Sequence, residues 1–224
     1  PSIVKFHGLP GGADQVSGFA TDLAEAGFAV LTFDFRGFRR SEGVFSLPGE
    51  VIDAHNAVTH ILSSGYSMGD WLGVYAASFG GPVAIISAAQ DESVDAVCLR
   101  APVYDVLWFA NNPIVPAEMK RLIVEESDVV HGLTEETMNQ MHNRMLQEAA
   151  AYDLSEIIPQ ISPRPLMITT GLLDQGIDPE GVRALFEAAG EPKEFHPVAE
   201  ADHVLSDPRA YEETSRLVVD WFMR

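Results

Sequence analysis

The chain has 224 residues, enough for one globular domain with a sizeable hydrophobic core or for one domain carrying an insertion. Its 33 acidic and 14 basic residues give a net charge of −19, which argues against nucleic acid or anionic lipid as a partner. No run of about 18 apolar residues and no signal peptide is visible, so we expect a cytoplasmic protein without a membrane span.

Apolar runs alternate with amphipathic stretches along most of the chain. The apolar runs predict strands, and the amphipathic stretches, several of which stop at a glycine, predict helices. In chain order we predict a strand at 2–6, a helix at 13–27, a strand at 28–34, a helix at 49–65, a strand at 71–77, a helix at 80–90, strands at 94–101 and 165–171, a helix at 179–190, a strand at 193–198 and a helix at 208–222.

The predicted strands are apolar throughout rather than alternating, which is typical of a sheet that is covered on both faces. Their alternation with helices predicts an α/β fold with a mostly parallel sheet of about six strands and helices on both faces. The single cysteine, Cys98, excludes an internal disulfide, and its apolar surroundings predict a buried structural thiol.

One long segment interrupts the alternation. Between Val103 and Pro165 the sequence contains only helical patterns, and a segment of about sixty residues is too long for a structureless loop in a compact domain. We therefore predict an α/β core formed by residues 1–102 and 161–224, with a helical insertion at residues 103–160 that acts as a lid.

The insertion contains two helical patterns, at 116–127 and at 134–152, and Thr134 is the predicted N-cap of the second. Three methionines fall on one face of that second helix, where they would pack in the core or line an acyl pocket: Met138, Met141 and Met145.

Two serines compete for the role of nucleophile. Ser67 lies in GYSMG, a complete G-x-S-x-G pattern, but this stretch follows a helix and precedes a strand, at the amino end of the sheet. Ser78 lies in AASFGG, between a strand and a helix, at the carboxyl end where open parallel sheets place their chemistry. Ala76 replaces the first glycine of the pattern, but it is small enough for a tight turn. We predict that Ser78 is the nucleophile.

Three other stretches fall at the same edge of the predicted sheet. The segment FHGLPGG (6–12) follows the first strand, where its glycines let a backbone N–H approach a developing oxyanion. Asp174 and His203 each follow a later strand, so the chain order is Ser, Asp, His. Asp178 is an alternative to Asp174, although its place before Pro179 is typical of a helix N-cap.

These motifs together resemble the α/β-hydrolase superfamily over nearly the whole chain. The resemblance rests on HG after the first strand, on DFRGFRRSEG (34–43), on ASFGG and on the late D and DH. Within the superfamily the chain is most similar to small serine carboxylesterases of the cinnamoyl/feruloyl esterase type. Ala76 and Arg39 depart from it, since both stand where a glycine is common. The resemblance also implies that the family's first two strands are absent, which leaves an exposed sheet edge through which a homo-oligomer could form.

The resemblance implies a role for each site residue. Ser78 attacks the acyl carbon, His203 accepts and returns its proton, and Asp174 orients the histidine. The backbone N–H groups of Leu9 and Phe79 form the oxyanion hole, and the loop carrying Leu9 is shaped by His7 and Gly8. The expected partner is a small-molecule ester, and neither a cofactor nor a metal is expected.

The expected activity is hydrolysis of esters with short or medium acyl groups or aromatic acyl groups, through an acyl-enzyme. The alternatives are a peptidase or amidase on the same scaffold and a non-catalytic binding protein of this fold. Glu125 and Glu126 are the only candidates for holding a substrate amine. Arg39 and Arg40 either hold an acidic substrate group or belong to a solvated loop.

Overall fold

The computed structural model describes residues 1–11, 16, 18–67 and 69–224. Within them, six strands form one sheet in the order β2-β1-β3-β4-β5-β6, and every neighbouring pair is parallel. The strands are β1 (Ser2–Phe6), β2 (Ala29–Thr32), β3 (Leu72–Ala77), β4 (Ala96–Arg100), β5 (Leu166–Gly171) and β6 (Lys193–Val198). The predicted α/β fold with a parallel sheet is confirmed.

The helices of the described part are α1 (Phe19–Glu25), α2 (Leu47–Ser63), α3 (Gly80–Gln90), α4 (Val106–Asn111), α5 (Ile114–Glu125), α6 (Met138–Ala149), α7 (Leu154–Ile157), α8 (Pro179–Ala188) and α9 (Pro208–Phe222), with a 3₁₀ turn at Ile158–Ile161. No helix among these residues is long and apolar enough to cross a membrane. The first turns predicted for the helix at 13–27, together with Gly12 and Met68, fall largely outside the described residues.

Side chains alternate across the sheet and build a core on each face. The larger cluster covers the face under α2 and α3 and includes Val74 and Ala76 of β3. The smaller cluster lies on the face covered by α1 and α9 and includes Tyr75 of β3 and Cys98 of β4. Cys98 is fully buried, and burial raises the pKa of its thiol.

Helices α4 to α7 lie within residues 103–160, the segment predicted as an insertion. Helix α6 runs from Met138 to Ala149, but the hydrogen bonds of an N-cap are made by Thr134, as predicted. The Thr134 hydroxyl accepts the Thr137 N–H at 3.3 Å, and the Thr134 carbonyl accepts the Met138 N–H at 2.9 Å. In return the Thr137 hydroxyl accepts the Thr134 N–H at 2.9 Å.

A carboxylate of α6 joins this helical segment to the sheet-covering helix α2. Glu148 accepts hydrogen bonds from the Leu47 N–H at 2.9 Å and from the Ser46 hydroxyl at 3.1 Å. Both donors lie at the N-terminus of α2, where backbone N–H groups lack partners within the helix and the helix dipole favours a negative charge. The contact fixes one end of the helical segment above the carboxyl end of the sheet.

Candidate active site

Ser78 lies on a strained turn between β3 and α3. Its φ of 54° is in the left-handed region, which a non-glycine residue adopts only when its surroundings enforce it. Gly80 and Gly81 permit this turn, because a Cβ on Gly80 would lie 2.6 Å from the His7 carbonyl oxygen and one on Gly81 2.5 Å from Pro102. Strand, turn and helix therefore present the serine hydroxyl at the carboxyl end of the sheet, as a nucleophile elbow does.

Three side chains from three loops form a hydrogen-bonded line. The His203 Nε2 lies 3.1 Å from the Ser78 hydroxyl oxygen, and its Nδ1 lies 2.7 Å from an oxygen of Asp174. The Asp174 side chain is fully buried, and its other oxygen accepts the backbone N–H groups of Gly176 at 2.8 Å and Ile177 at 2.9 Å. Both oxygens of Asp174 thus serve as acceptors, and with Nδ1 donating to Asp174 the His203 Nε2 is the acceptor that faces the Ser78 hydroxyl.

The two competing residues from the sequence lie elsewhere. Ser67 is in an exposed turn before β3, where its hydroxyl donates to the Gly69 carbonyl at 2.6 Å. Asp178 is the N-cap of α8 and accepts the Glu180 N–H at 3.2 Å. Neither side chain takes part in the line that runs through His203.

The loop after β1 packs directly on Ser78. A Cβ on Gly8 would lie 2.8 Å from the Ser78 Cβ, so only glycine allows this approach. Leu9 follows in the same loop and lines the cavity beside Ser78. Phe79 directly follows Ser78 and is the N-cap of α3, where N–H groups lack partners within the helix. Leu9 and Phe79 therefore lie in the two segments that meet at Ser78.

His7 joins that loop to the segment that follows β2. Its Nε2 accepts the Phe35 N–H at 2.9 Å, so its Nδ1 carries the proton and donates to the Gly8 carbonyl at 2.7 Å. Burial is the largest effect on this ring and lowers its pKa. A neutral imidazole with both nitrogens occupied shapes the loop and is not available for proton transfer.

A cavity of about 340 Å³ opens at Ser78 and His203. Its walls are largely apolar, and among the lining residues that the structure describes Glu118 is the one acidic side chain, held by Arg121 at 2.7 Å. The other described walls come from the helical segment 103–160 and from loops near Ser78, Asp174 and His203: Leu9, Pro10, Phe45, Phe109, Ile114, Val115, Met119, Leu122, Val130, Leu133, Met141, Gly176, Ile177 and Val204.

The three methionines of α6 divide between the two roles considered from the sequence. Met141 lines the cavity. Met145 is buried in the larger core cluster, and Met138 packs against that cluster while partly exposed. One face of a helix thus serves both the core and the pocket.

Arg39 occupies its glycine position at a φ of 47° and does not belong to a solvated loop. Its guanidinium donates to the Gly11 carbonyl at 3.1 Å, and its backbone N–H donates to the Val129 carbonyl at 3.0 Å. It therefore links the loop after β1 to the helical segment. Arg40 is exposed.

Two features of the site were not predicted from the sequence. The N–H groups of Gly176 and Ile177 hold Asp174, and the D-x-G spacing after a strand is the local signal that favours such a turn. Arg100 binds the histidine loop from β4, and no local pattern marks it. Among the residues described, no group of three or more His, Cys, Asp or Glu side chains is arranged to hold a metal ion.

Comparison with known proteins gives a family and several distant relatives. A family model described as "alpha/beta hydrolase fold" matches residues 1–149. The "Uncharacterized protein YfhR" of Escherichia coli O157:H7 is 24% identical over 205 residues, covering 91% of this chain and 63% of that protein. The "Quorum-quenching protein AidA" of Acinetobacter baumannii (strain MDR-ZJ06) is 29% identical over 133 residues, covering 56% of this chain and 44% of that protein.

Solved structures match the fold over nearly the whole chain. The α/β hydrolase GrgF from Penicillium sp. sh18 aligns with a TM-score of 0.73 at 20% identity, covering 99% of this chain and 89% of that one. A monoacylglycerol lipase from Paleococcus ferrophilus aligns with a TM-score of 0.71 at 20% identity, covering 98% and 92%. An enol-lactonase from Burkholderia xenovorans LB400 aligns with a TM-score of 0.70 at 18% identity, covering 100% and 92%. At these identities the likeness establishes the fold and no specific reaction.

Proposed function

The chain belongs to the α/β-hydrolase fold family, and on that basis we propose that it is a serine hydrolase that cleaves carboxylic esters through an acyl-enzyme. The observation that carries the proposal is the line of hydrogen bonds from Asp174 through His203 to the Ser78 hydroxyl, at 2.7 and 3.1 Å. This line ends at the mouth of an apolar cavity, where an acyl group would be held beside the nucleophile.

In the first half of the reaction, the Ser78 oxygen attacks the ester carbonyl carbon while His203 Nε2 accepts the serine proton. Asp174 stabilises the imidazolium that forms. The N–H groups of Leu9 and Phe79 bind the oxyanion of the tetrahedral intermediate, and one such donor is worth roughly 10²–10³ in rate.

Collapse of that intermediate breaks the bond to the alcohol oxygen, and the proton on His203 passes to the leaving alcohol. A water molecule then attacks the acyl-enzyme, with the same histidine as its base. This second attack restores the Ser78 hydroxyl and releases the acid.

The cavity supports a short or medium acyl group or an aromatic acyl group as the preferred acid portion. Its volume is about 340 Å³, roughly twice that of a 150 Å³ engineered cavity that holds benzene. Aromatic walls at Phe45 and Phe109 suit an aryl acid of the cinnamoyl or feruloyl kind. Glu118, the one carboxylate among the described wall residues, is paired with Arg121, and the other described walls are largely apolar.

Two alternatives have weaker support. For a peptidase, Glu125 and Glu126 would have to bind a substrate amine, but both carboxylates are paired with Arg121, at 2.9 and 3.0 Å, and neither lines the cavity. A non-catalytic binding protein would not require the hydrogen bonds that connect Ser78, His203 and Asp174.

A fluorophosphonate probe tests the proposal directly. The probe reacts with an activated serine, and peptide mass spectrometry locates the adduct. We expect labelling of Ser78 that His203→Ala abolishes, and unchanged labelling in Ser67→Ala as the matched control. A protein that is folded by circular dichroism yet carries no adduct, or that is labelled at Ser67, would contradict the proposal. A panel of esters graded by acyl length would then identify the acid portion.

A further inference from the structure

Arg100 is the last residue of β4, the strand that lies between the one leading to Ser78 and the one leading to Asp174. Arg100 pairs with Ala77 of β3 and with Thr169 of β5. It therefore lies across the sheet from the residue that directly precedes Ser78. We infer that Arg100 is a positioning residue that holds the loop of the proposed catalytic histidine in register with the nucleophile turn.

The side chain of Arg100 binds the histidine loop. Alternation along β4 directs Arg100 to the same face as Cys98, the face covered by α1 and α9. From there its Nη1 donates to the carbonyl oxygen of His203 at 2.7 Å, a charge-assisted bond. Leu205, two residues further along the same loop, has a φ of 57°, a strained conformation that persists only where the surrounding structure enforces it.

The backbone at the same point binds the nucleophile turn. The carbonyl of Arg100 accepts the Ser78 N–H at 3.0 Å, and the Ser78 carbonyl accepts the Val103 N–H at 3.0 Å. Between them, Ala101 has a φ of 41° and donates its N–H to the Thr169 carbonyl at 2.7 Å. One residue therefore contacts both halves of the proton-transfer pair, the serine through its carbonyl and the histidine through its guanidinium.

The distance that this arrangement controls is the 3.1 Å between His203 Nε2 and the Ser78 hydroxyl. Without the guanidinium, the His203 carbonyl loses its charged donor and the loop is free to move relative to β4. A misplacement of about 1 Å in a catalytic pair can cost about 10² in rate. The binding of the acyl group in the cavity does not involve Arg100, so the loss should fall on kcat and leave KM nearly unchanged.

The inference rests on the proposed hydrolase function, and a matched set of variants separates the two. Arg100→Met and Arg100→Gln remove the contact, since neither side chain reaches the carbonyl with a charge, whereas Arg100→Lys keeps one charged donor. Arg164→Met is the control, because Arg164 also donates to backbone carbonyls, of Asp91 at 2.7 Å and of Val94 at 3.3 Å, but at the amino end of the sheet. For each variant one measures kcat and KM on a p-nitrophenyl ester, the rate of fluorophosphonate labelling at Ser78, and the melting temperature.

We expect Arg100→Met and Arg100→Gln to lose about 10² in kcat and in labelling rate with KM within about threefold. Arg100→Lys should recover about tenfold of that loss, and guanidinium ions at a non-denaturing concentration should partly restore Arg100→Gln. Arg164→Met should melt lower while its kcat, measured below its melting temperature, stays within about threefold of the wild type.

Several results would overturn the inference. These are a kcat for both neutral Arg100 variants within about threefold of the wild type, a loss that falls on KM alone, or an equal loss in Arg164→Met. If Arg100→Met does not fold, Arg100→Gln decides alone. A wild-type protein that is folded but never labelled at Ser78 refutes the proposed function itself, whereas normal wild-type labelling with unaffected Arg100 variants refutes only this inference.

Discussion

The substitution Asp174→Asn changes one atom and should abolish most of the activity. Asp174 receives three donors: the Gly176 and Ile177 N–H groups on one oxygen and the His203 Nδ1–H on the other. An asparagine amide has only one oxygen. If its NH₂ faced the two backbone N–H groups, both buried donors would lose their acceptor, at about 1–3 kcal/mol each. The oxygen should therefore stay there, and the NH₂ should face His203.

The histidine must then accept at Nδ1 and carry its proton on Nε2, which points at the Ser78 hydroxyl 3.1 Å away. In this tautomer the imidazole cannot take the serine proton. The same change in the triad of a serine protease lowers kcat by about 10⁴, which corresponds to about 5.5 kcal/mol in the activation free energy. We expect a loss of this order here, with KM changed far less.

The assay is kcat and KM on a p-nitrophenyl ester, together with the labelling rate of Ser78 by a fluorophosphonate, over a range of pH. Asp178→Asn is the control, because Asp178 is an equally short carboxylate four residues away that only caps α8 through the Glu180 N–H. An activity of Asp174→Asn within about tenfold of the wild type would refute this reasoning, as would an equal loss in Asp178→Asn.

Three further predictions concern stability, specificity and the loop after β1. Burial raises the pKa of the Glu50 carboxyl well above its usual value. At a pH above that usual value, folding is therefore coupled to proton uptake, and the free energy of unfolding falls as the pH rises. Glu50→Gln should raise the melting temperature at neutral pH, by about 2–4 °C per kcal/mol for a chain of this size, and a difference from the wild type that does not shrink on acidification would contradict this. Met119→Trp should fill part of the cavity and so reduce kcat/KM for the longest accepted acyl group about tenfold or more relative to kcat/KM for an acetyl ester. The control Met138→Trp changes a residue that does not line the cavity and should leave the ratio of these two kcat/KM values unchanged. Gly8→Ala would place a Cβ 2.8 Å from the Ser78 Cβ and should lower kcat at least about tenfold in a protein that still folds by circular dichroism; full activity would show that the loop is free to move away.

The sequence predicted the central strands β1, β3, β4 and β5 because strands that are buried on both faces appear as runs of apolar residues. Each of the six observed strands lies within a predicted one. The same pattern separated Ser67 from Ser78, since what distinguishes them is whether a strand comes before or after, and the structure puts Ser67 in an exposed turn. The helices α4 and α7 were not predicted, because six and four residues are too few for a periodic pattern and only their caps, Asp105 and Asp153, signal them.

By itself, then, the sequence determined the α/β class, the strands, and which residues follow each strand at its carboxyl end. These properties depend on local burial and on chain direction, both of which can be inferred from the pattern of consecutive residues. Only the tertiary structure decided what meets across the sheet. The contact of Arg100 with His203 spans 103 residues and that of Glu148 with Leu47 spans 101. The walls of the cavity likewise come from segments far apart in the chain. Such pairs depend on sheet order and helix packing, which no local pattern encodes.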